Sequence, residues 1–181
     1  MAVDSPMELF LDALASVLDE EHRLIPILQT LAGEAQNPQV KQAYEEHLHE
    51  TEHQIHNDDQ VFQILGQRPR RQTNLVIEAI KQTHDTFKQR QPSAAILQAF
   101  DLDAAYKTEH YEVACYTMLI QMCRLMNQPE CGRLLEQNLA QEQAMADRVL
   151  RLSEMTGQPL VGQAGQMYMH PQPGERPLAE Q

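Results

Sequence analysis

Apolar residues recur every three or four positions along most of this chain, which is the spacing that one face of an α-helix requires. In the first such segment the recurring positions are Phe10, Leu14, Val17, Leu18, Glu21, Ile25 and Leu28. Ser5 and Pro6 precede the segment and suit a helix start, and Gly33 suits a helix end. The pattern therefore predicts a first helix over residues 5 to about 33.

The same spacing predicts three more long helices and one short one. The second helix follows Asn37-Pro38 and reaches about residue 65, and a short amphipathic helix covers residues 74–88. The remaining long helices cover residues 93–127 and 129–156. The sequence thus predicts an all-α fold: a four-helix bundle with an additional short helix between helices two and three.

Composition supports the all-α class and suggests where the bundle ends. Aromatic residues make up 5% of the chain and Trp is absent, whereas Leu, Ala, Gln and Glu are abundant, which favours helices over a sheet. After Gly157 the chain becomes rich in Pro, Gly and Gln. We therefore expect a helical domain over residues 1–156 and a tail over residues 157–181 that is mobile or packed on a neighbour.

The charge of the chain argues against one class of partner. Asp and Glu total 26 while Lys and Arg total 14, so the net charge is −12, and no basic stripe is evident. Binding to a nucleic-acid backbone requires clustered positive charge. We therefore expect no nucleic-acid partner.

Cysteine usage and hydropathy indicate the compartment. Cys115, Cys123 and Cys131 form no CxxC pair and are odd in number, so they are predicted to be reduced thiols. Residues 1–7 carry no basic leader region, and no run of about 18 apolar residues occurs. We expect a cytoplasmic protein that does not enter the membrane.

Acidic residues occupy positions where the helical pattern calls for Leu, Ile or Val. Glu21, Glu50, Glu109 and Glu142 each fall on the apolar face of one long helix, whereas the same counting turns Glu20 away from it. A carboxylate in a packed core costs several kcal/mol unless a partner meets it. Four such residues at one level indicate a shared partner, and a metal cluster is the obvious candidate.

The two halves of the chain repeat this arrangement. Glu21-His22 matches Glu109-His110, and Glu50 matches Glu142. Two helical hairpins packed about a pseudo-twofold axis would bring the four carboxylates to one level, as a carboxylate-bridged dinuclear iron or manganese site requires. Oxygen ligands suit both metals.

The histidines that could serve as nitrogen ligands do not repeat between the two halves as the glutamates do. Glu50 and His53 have the ExxH spacing of di-iron bundles, but helical phase places His47 closer to the core than His53. In the fourth helix the corresponding position is Met145, so a matched pair of histidines is not available. Glu112, one turn after Glu109 in the third helix, could supply the missing ligand.

Side chains next to the candidate ligands have two interpretations. His22 and His110 could orient a ligand carboxylate, although a histidine beside an apolar face is more often an ordinary boundary residue. Tyr116 could donate a hydrogen bond to a ligand carboxylate or take part in electron transfer, although aromatic residues at this spacing usually belong to the core.

Four stretches of the chain carry a family resemblance. They are Glu8-Leu-Phe-Leu11 leading to Glu21, His47-Leu-His-Glu-Thr51 with Gln54, Glu109-His-Tyr-Glu-Val-Ala114 with Tyr116, and Leu134-Leu135 leading to Glu142. With these stretches the chain resembles the YciE/YciF ferritin-like stress proteins over residues 7–154. The resemblance implies a ferritin-like bundle, a homodimer and ferroxidase chemistry. It also implies that the glutamates on the apolar helix faces are metal ligands. The chain departs from the family pattern at Ala146, where aspartate is frequent and Asp147 is displaced by one residue, and at His49.

Two hypotheses follow. In the first, two iron or manganese ions bind per chain and Fe(II) is oxidised by dioxygen or peroxide. Glu50 and Glu142 would bridge or flank the metal ions, and Glu21 and Glu109 would be terminal ligands. Glu112, with His47 or His53, would complete the coordination of the ions. In the second, the protein is a metal-free helical scaffold that acts through dimerisation or partner binding. Its buried carboxylates would be satisfied by His22, His47, His110, Tyr111, Tyr116 or an arginine.

Overall fold

The computed structural model describes the backbone of residues 3–169 and the side chains of residues 3–162. Over this part of the chain there are five helices and no strand: α1 (Pro6–Glu34), α2 (Pro38–Ile64), α3 (Leu75–Lys88), α4 (Ala94–Leu125) and α5 (Pro129–Met169). The predicted all-α bundle of four long helices and one additional short helix is confirmed.

Local capping explains where four of the helices begin. The hydroxyl of Ser5 accepts from the backbone N–H of Glu8, and the Glu8 carboxylate accepts in turn from the Ser5 hydroxyl. Asn37, Asn74 and Ser93 cap α2, α3 and α4 with their side-chain oxygens. Because a cap is a short-range interaction, these starts lie within one or two residues of their predicted positions.

The end of α5 differs from the prediction. The helix was expected to stop near Thr156, but it continues through Gly157 and Pro159 to Met169. A proline inside a helix removes one backbone hydrogen bond, yet the flanking residues can still adopt helical φ and ψ. Gly157 and Pro159 therefore predicted a helix end, but the helix continues through both residues. Residues 170–181, the remainder of the predicted tail, lie outside the described residues.

Packing pairs the long helices as two hairpins. α1 packs along α2 and α4 along α5, the pairs meet through α2 with α5 and α1 with α4, and α3 lies against α4. None of the described helices contains a stretch apolar enough to cross a membrane.

Two apolar clusters occupy the two ends of the bundle. One includes Phe10, Leu14 and Leu135, and the other includes Leu28 and Val149. Between them, each long helix contributes buried polar residues instead of apolar ones. The packed apolar ends therefore hold a polar layer in the middle of the bundle.

Candidate metal centre

The polar layer consists mainly of carboxylates, amides and hydroxyls from the four long helices. Its buried members are Glu20 and Glu21 of α1, His47, Thr51, Gln54, Asn57 and Asp58 of α2, Thr108, Glu109, Glu112 and Tyr116 of α4, and Asn138 and Glu142 of α5. Water cannot solvate these groups, so each needs a partner within the protein or a bound ion.

Four of the predicted ligands form the tightest group in this layer. One ligand atom each from His47, Glu109, Glu112 and Glu142 lies within 4.8 Å of the others. Glu109 and Glu112 are three residues apart and therefore lie on the same face of α4. The group has three carboxylates and one imidazole, a donor set that a first-row divalent cation could use.

His47 is held between two carboxylates. Its Nδ1 lies 3.3 Å from Oε2 of Glu50, and its Nε2 lies 3.4 Å from Oε1 of Glu109. Burial alone would lower the pKa of His47, but the charges of Glu109 and Glu50 outweigh burial and raise that pKa to about 9. Glu50 itself was predicted as the central carboxylate of α2, but its side chain is 39% exposed and lies at the edge of the layer.

The two neighbouring glutamates of α1 are both fully buried. Glu21 accepts a hydrogen bond of 2.5 Å from the hydroxyl of Tyr116. Glu20 was expected to point away from the core, and this expectation is wrong. Nδ2 of Asn74, the cap of α3, donates to Oε2 of Glu20 at 3.1 Å, so the start of α3 covers a face of α1 that would otherwise meet solvent.

Several buried carboxylate oxygens have no hydrogen-bond partner among the residues that the structure describes. They are Oε1 of Glu20, Oε2 of Glu21, Oε2 of Glu109, both oxygens of Glu112, and Oε2 of Glu142. A buried acceptor without a partner costs roughly 1–3 kcal/mol, and more when it is charged. The unpartnered atoms fit a centre that takes hard oxygen ligands, such as iron or manganese.

Electrostatics also favour a bound positive charge. Burial raises the pKa of Glu21 and Glu112 well above the ordinary value, and the charge of Glu142 raises both further. Burial likewise raises the pKa of Glu109 and Glu142, although the imidazolium of His47 opposes the shift. Without a cation the layer is therefore expected to retain protons on its carboxyls at neutral pH.

A second polar group, which the sequence analysis did not assign to the site, adjoins the carboxylates. Nδ2 of Asn138 donates to Oδ1 of Asp58 at 3.1 Å and to the Tyr116 hydroxyl at 3.2 Å, and Nδ2 of Asn57 donates to Oδ1 of Asn138 at 2.8 Å. Gln54 donates to Glu142. These residues could have been recognised from the sequence because they are polar side chains at core-facing positions of α2 and α5.

The remaining histidine candidates lie outside the buried group. His53 is exposed, with its Nδ1 3.4 Å from Nδ2 of Asn57. His22 and His110 are also exposed, and the His110 ring packs edge-on against Tyr106 with their centroids 4.4 Å apart. The structure therefore brings His47 to the layer and leaves the other three at the surface.

In α5 the next turn after Glu142, residues 145–147, supplies no further buried ligand. Met145 and Ala146 are buried, and Asp147 is exposed. The displacement of aspartate by one residue along the helix thus turns its side chain away from the layer.

Comparisons with known proteins agree on one family and one fold. The family described as a domain of unknown function, DUF892, matches residues 5–159. Protein YciF of Escherichia coli K12 is 29% identical over 143 residues, which cover 76% of this chain and 83% of YciF.

Solved structures extend the comparison. YcfI of Rhodopseudomonas palustris, described as a candidate structural protein, shares 28% identity with a TM-score of 0.79, over 81% of this chain and 94% of its own. The structure of the E. coli stress protein YciF has 24% sequence identity to this chain in the structural alignment and a TM-score of 0.81. The alignment covers 86% of this chain and 98% of YciF. A protein of Xanthomonas campestris pv. campestris has 17% sequence identity and a TM-score of 0.72. That alignment covers 89% of this chain and 99% of the Xanthomonas protein. The last two comparisons bear on the fold alone.

Proposed function

This chain belongs to the DUF892 family and is a relative of the stress protein YciF, and from that premise we propose that it binds a dinuclear iron or manganese centre between its long helices. The proposed reaction is the oxidation of Fe(II) by peroxide or dioxygen. The observation that carries the proposal is the set of buried carboxylate oxygens without partners in the polar layer.

The imbalance of buried charge supports a cation. Among the described residues, eight acidic side chains are buried, while His47 is the one buried basic side chain. Burying several carboxylates without compensation is strongly unfavourable, because each loses its hydration. Bound divalent cations would compensate the charge and would use the free lone pairs.

The residues divide into two proposed positions. His47, Glu109, Glu112 and Glu142 would hold one ion, since their ligand atoms already lie within 4.8 Å of one another. The second ion would lie on the side of α1, where Glu21 is buried with one free oxygen. Glu50 would orient the His47 ring through Nδ1, leaving Nε2 available as a ligand.

The proposed reaction balances in electrons and protons. Two Fe(II) ions, as substrate, give one electron each to hydrogen peroxide, which takes up two protons and yields two water molecules and two Fe(III) ions. Carboxyl groups must lose their protons to bind a cation. Metal binding therefore releases the protons of the buried glutamates to solvent, and solvent supplies the two protons that peroxide reduction consumes.

An anaerobic Fe(II) titration of the metal-stripped protein, followed by peroxide, tests this proposal through near-ultraviolet absorbance. We expect uptake near two ions per chain, followed by ferric absorbance. Glu142→Gln should lose uptake, and Glu45→Gln, which changes an exposed residue, should retain it. Absence of stoichiometric uptake by the unaltered protein would remove the proposal.

A metal-free scaffold is the competing proposal, in which the protein acts through homodimerisation or partner binding. It draws support from the amides and hydroxyl that already contact the carboxylates: Gln54 to Glu142, Tyr116 to Glu21, and Asn74 to Glu20. The relative YcfI is described as a candidate structural protein. This proposal predicts that chelators leave the thermal midpoint unchanged, whereas ion binding to the folded state should raise that midpoint.

A further inference from the structure

We infer that Gln54 is a positioning residue of the proposed metal centre, which holds the carboxylate of Glu142 by one oxygen and leaves the other oxygen to the cation. This inference rests on the proposed function. It assigns a role to a buried amide of α2 that is not one of the candidate ligands, and it makes the contact between α2 and α5 part of the site.

The amide of Gln54 contacts a member of the closest ligand group. Nε2 of Gln54 donates to Oε1 of Glu142, which is one of the four residues whose ligand atoms lie within 4.8 Å of one another. Both side chains are fully buried. Oε2 of Glu142 has no hydrogen-bond partner within residues 3–162. The carboxylate is thus held at one oxygen and open at the other.

The position of Gln54 on α2 suits this role. Gln54 follows His47 by seven residues, which is close to two helical turns, so the two side chains lie on one face of α2. Both approach the same carboxylate of α5: His47 belongs to the ligand group of Glu142, and Gln54 donates the hydrogen bond. Glu142 is therefore approached from two levels of one helix, which restricts how its carboxylate can turn.

The other end of the Gln54 amide has no partner in the described part of the chain. Its Oε1 is buried and receives no hydrogen bond there, so the contact with Glu142 is the one hydrogen bond that the side chain makes. A buried carbonyl without a donor is unfavourable, and an apolar side chain of similar size would avoid that cost. A glutamine at this core position is therefore better explained by its contact with Glu142 than by packing.

An amide is suited to hold a ligand carboxylate because it carries no charge. It donates a hydrogen bond to Glu142 without neutralising it, so the negative charge remains available to a cation. A lysine or arginine at the same place would form an ion pair with Glu142 and compete with the metal. Gln54 can thus orient the ligand and preserve its charge, as outer partners of metal ligands do.

The backbone of Gln54 is tied to the helix that carries Glu142. Nδ2 of Asn138 donates to the carbonyl oxygen of Gln54 at 3.4 Å. Asn138 precedes Glu142 by four residues and lies one turn earlier on the same face of α5. Asn57, one turn after Gln54, donates to Oδ1 of Asn138 at 2.8 Å. These contacts hold α2 and α5 in the register that lets the amide of Gln54 reach Glu142.

Mn(II) binding to the metal-stripped full chain, followed by the electron paramagnetic resonance of free Mn(II), tests the inference without any turnover. Gln54→Met keeps the length of the side chain and removes the donor to Glu142. We expect at least one Mn(II) ion to bind roughly 10 to 100 times more weakly, as loss of an outer partner of a ligand typically causes. The spectrum of bound Mn(II) should also change, because Glu142 is then free to turn. A residue that only stabilises the fold would leave that spectrum unaltered.

Asn57→Leu is the matched control. It removes a buried amide from the same contact between α2 and α5 without touching a residue of the closest ligand group. It should lower the urea midpoint in EDTA and bind Mn(II) with unaltered affinity and spectrum.

Gln54→Asn provides a second variant, with circular dichroism as the check that each variant folds. It keeps the amide but shortens the side chain by one methylene group, so the donor no longer reaches Glu142. It should therefore weaken Mn(II) binding as Gln54→Met does.

The outcomes separate the two proposals. If the unaltered protein binds no Mn(II) or Fe(II), the proposed function fails and this inference fails with it. If the unaltered protein binds Mn(II) and both Gln54 variants bind it with unaltered affinity, the inference alone is overturned. Equal weakening in Asn57→Leu would also overturn it, since the loss would then come from the packing of α2 against α5 and not from the contact with Glu142.

Discussion

The hydroxyl of Tyr116 lies 2.5 Å from Oε1 of Glu21, although 95 residues separate the two in the chain. Both side chains are fully buried, and the contact joins α1 to α4 at the level of the polar layer. The same hydroxyl also accepts from Asn138 of α5. It also lies 3.3 Å from Oδ2 of Asp58 in α2, so a single oxygen contacts side chains of all four long helices beside the candidate ligands.

Replacing Tyr116 with phenylalanine should therefore destabilise the protein. The substitution leaves Oε1 of Glu21 without its donor, and a buried unsatisfied group costs roughly 1–3 kcal/mol. Urea unfolding in the presence of EDTA measures the change. Tyr111→Phe removes a half-buried hydroxyl that contacts Asn74, and it should cost less. An equal effect of both variants would contradict this account of the layer.

The metal-free protein should lose stability as the pH rises. Burial raises the pKa of Glu20 from 4.5 to about 9, and the charge of Glu142 adds to the shift. At a pH between the unfolded and the folded pKa, the folded state holds a proton that the unfolded chain has released. The free energy of unfolding therefore falls as the pH rises through this range. Each such proton contributes about 1.4 kcal/mol per pH unit. His47, whose pKa is raised to about 9, acts in the same direction.

Urea unfolding in EDTA at pH 5, 6, 7 and 8 checks this expectation. The free energy of unfolding should be highest near the acid end of that series and fall toward pH 8. Glu112→Gln removes one of the buried groups that retain a proton and should flatten the slope. Stability that rises from pH 5 to pH 8 in the absence of metal would show that the buried carboxyls are ionised in the folded state.

Much of the fold could be predicted because its determinants are local. The helix starts depend on capping residues next to the helices they begin, such as Ser5 and Asn37. The burial of Glu21, Glu109 and Glu142 follows from helical phase, since each shares a face with apolar neighbours on its own helix.

The rest depends on contacts between residues far apart in sequence, which periodicity does not encode. Glu20 is buried because the segment that precedes α3 crosses α1 and places Asn74 against it, 54 residues later. Asp58 was missed because its partners come from other helices. Conversely, Glu50 has helical phase near the core, yet its side chain is 39% exposed among the described residues.

The apolar ends of the bundle should contribute most of the folding energy. Leu14 is fully buried in one apolar cluster, whereas Leu9, on the same helix, is 54% exposed. Leu14→Ala should cost roughly 2–5 kcal/mol because it removes buried methyl groups and leaves a cavity. Leu9→Ala should change stability by no more than about 0.5 kcal/mol. Urea unfolding of the two variants compares them directly, and similar values would mean that α1 is packed in a different rotation.

Added metal should oppose the loss of stability that the metal-free protein shows as the pH rises. Because the carboxyls and His47 must lose their protons to bind a cation, proton competition weakens binding at low pH. Mn(II) at about 100 times its Kd should stabilise the folded state by about 2.7 kcal/mol for each site. At a fixed Mn(II) concentration we therefore expect a larger rise in thermal midpoint at pH 8 than at pH 6. Glu142→Gln should lose most of the rise at both pH values, because the residue belongs to the closest ligand group. An equal rise in that variant would place the bound ion outside the polar layer.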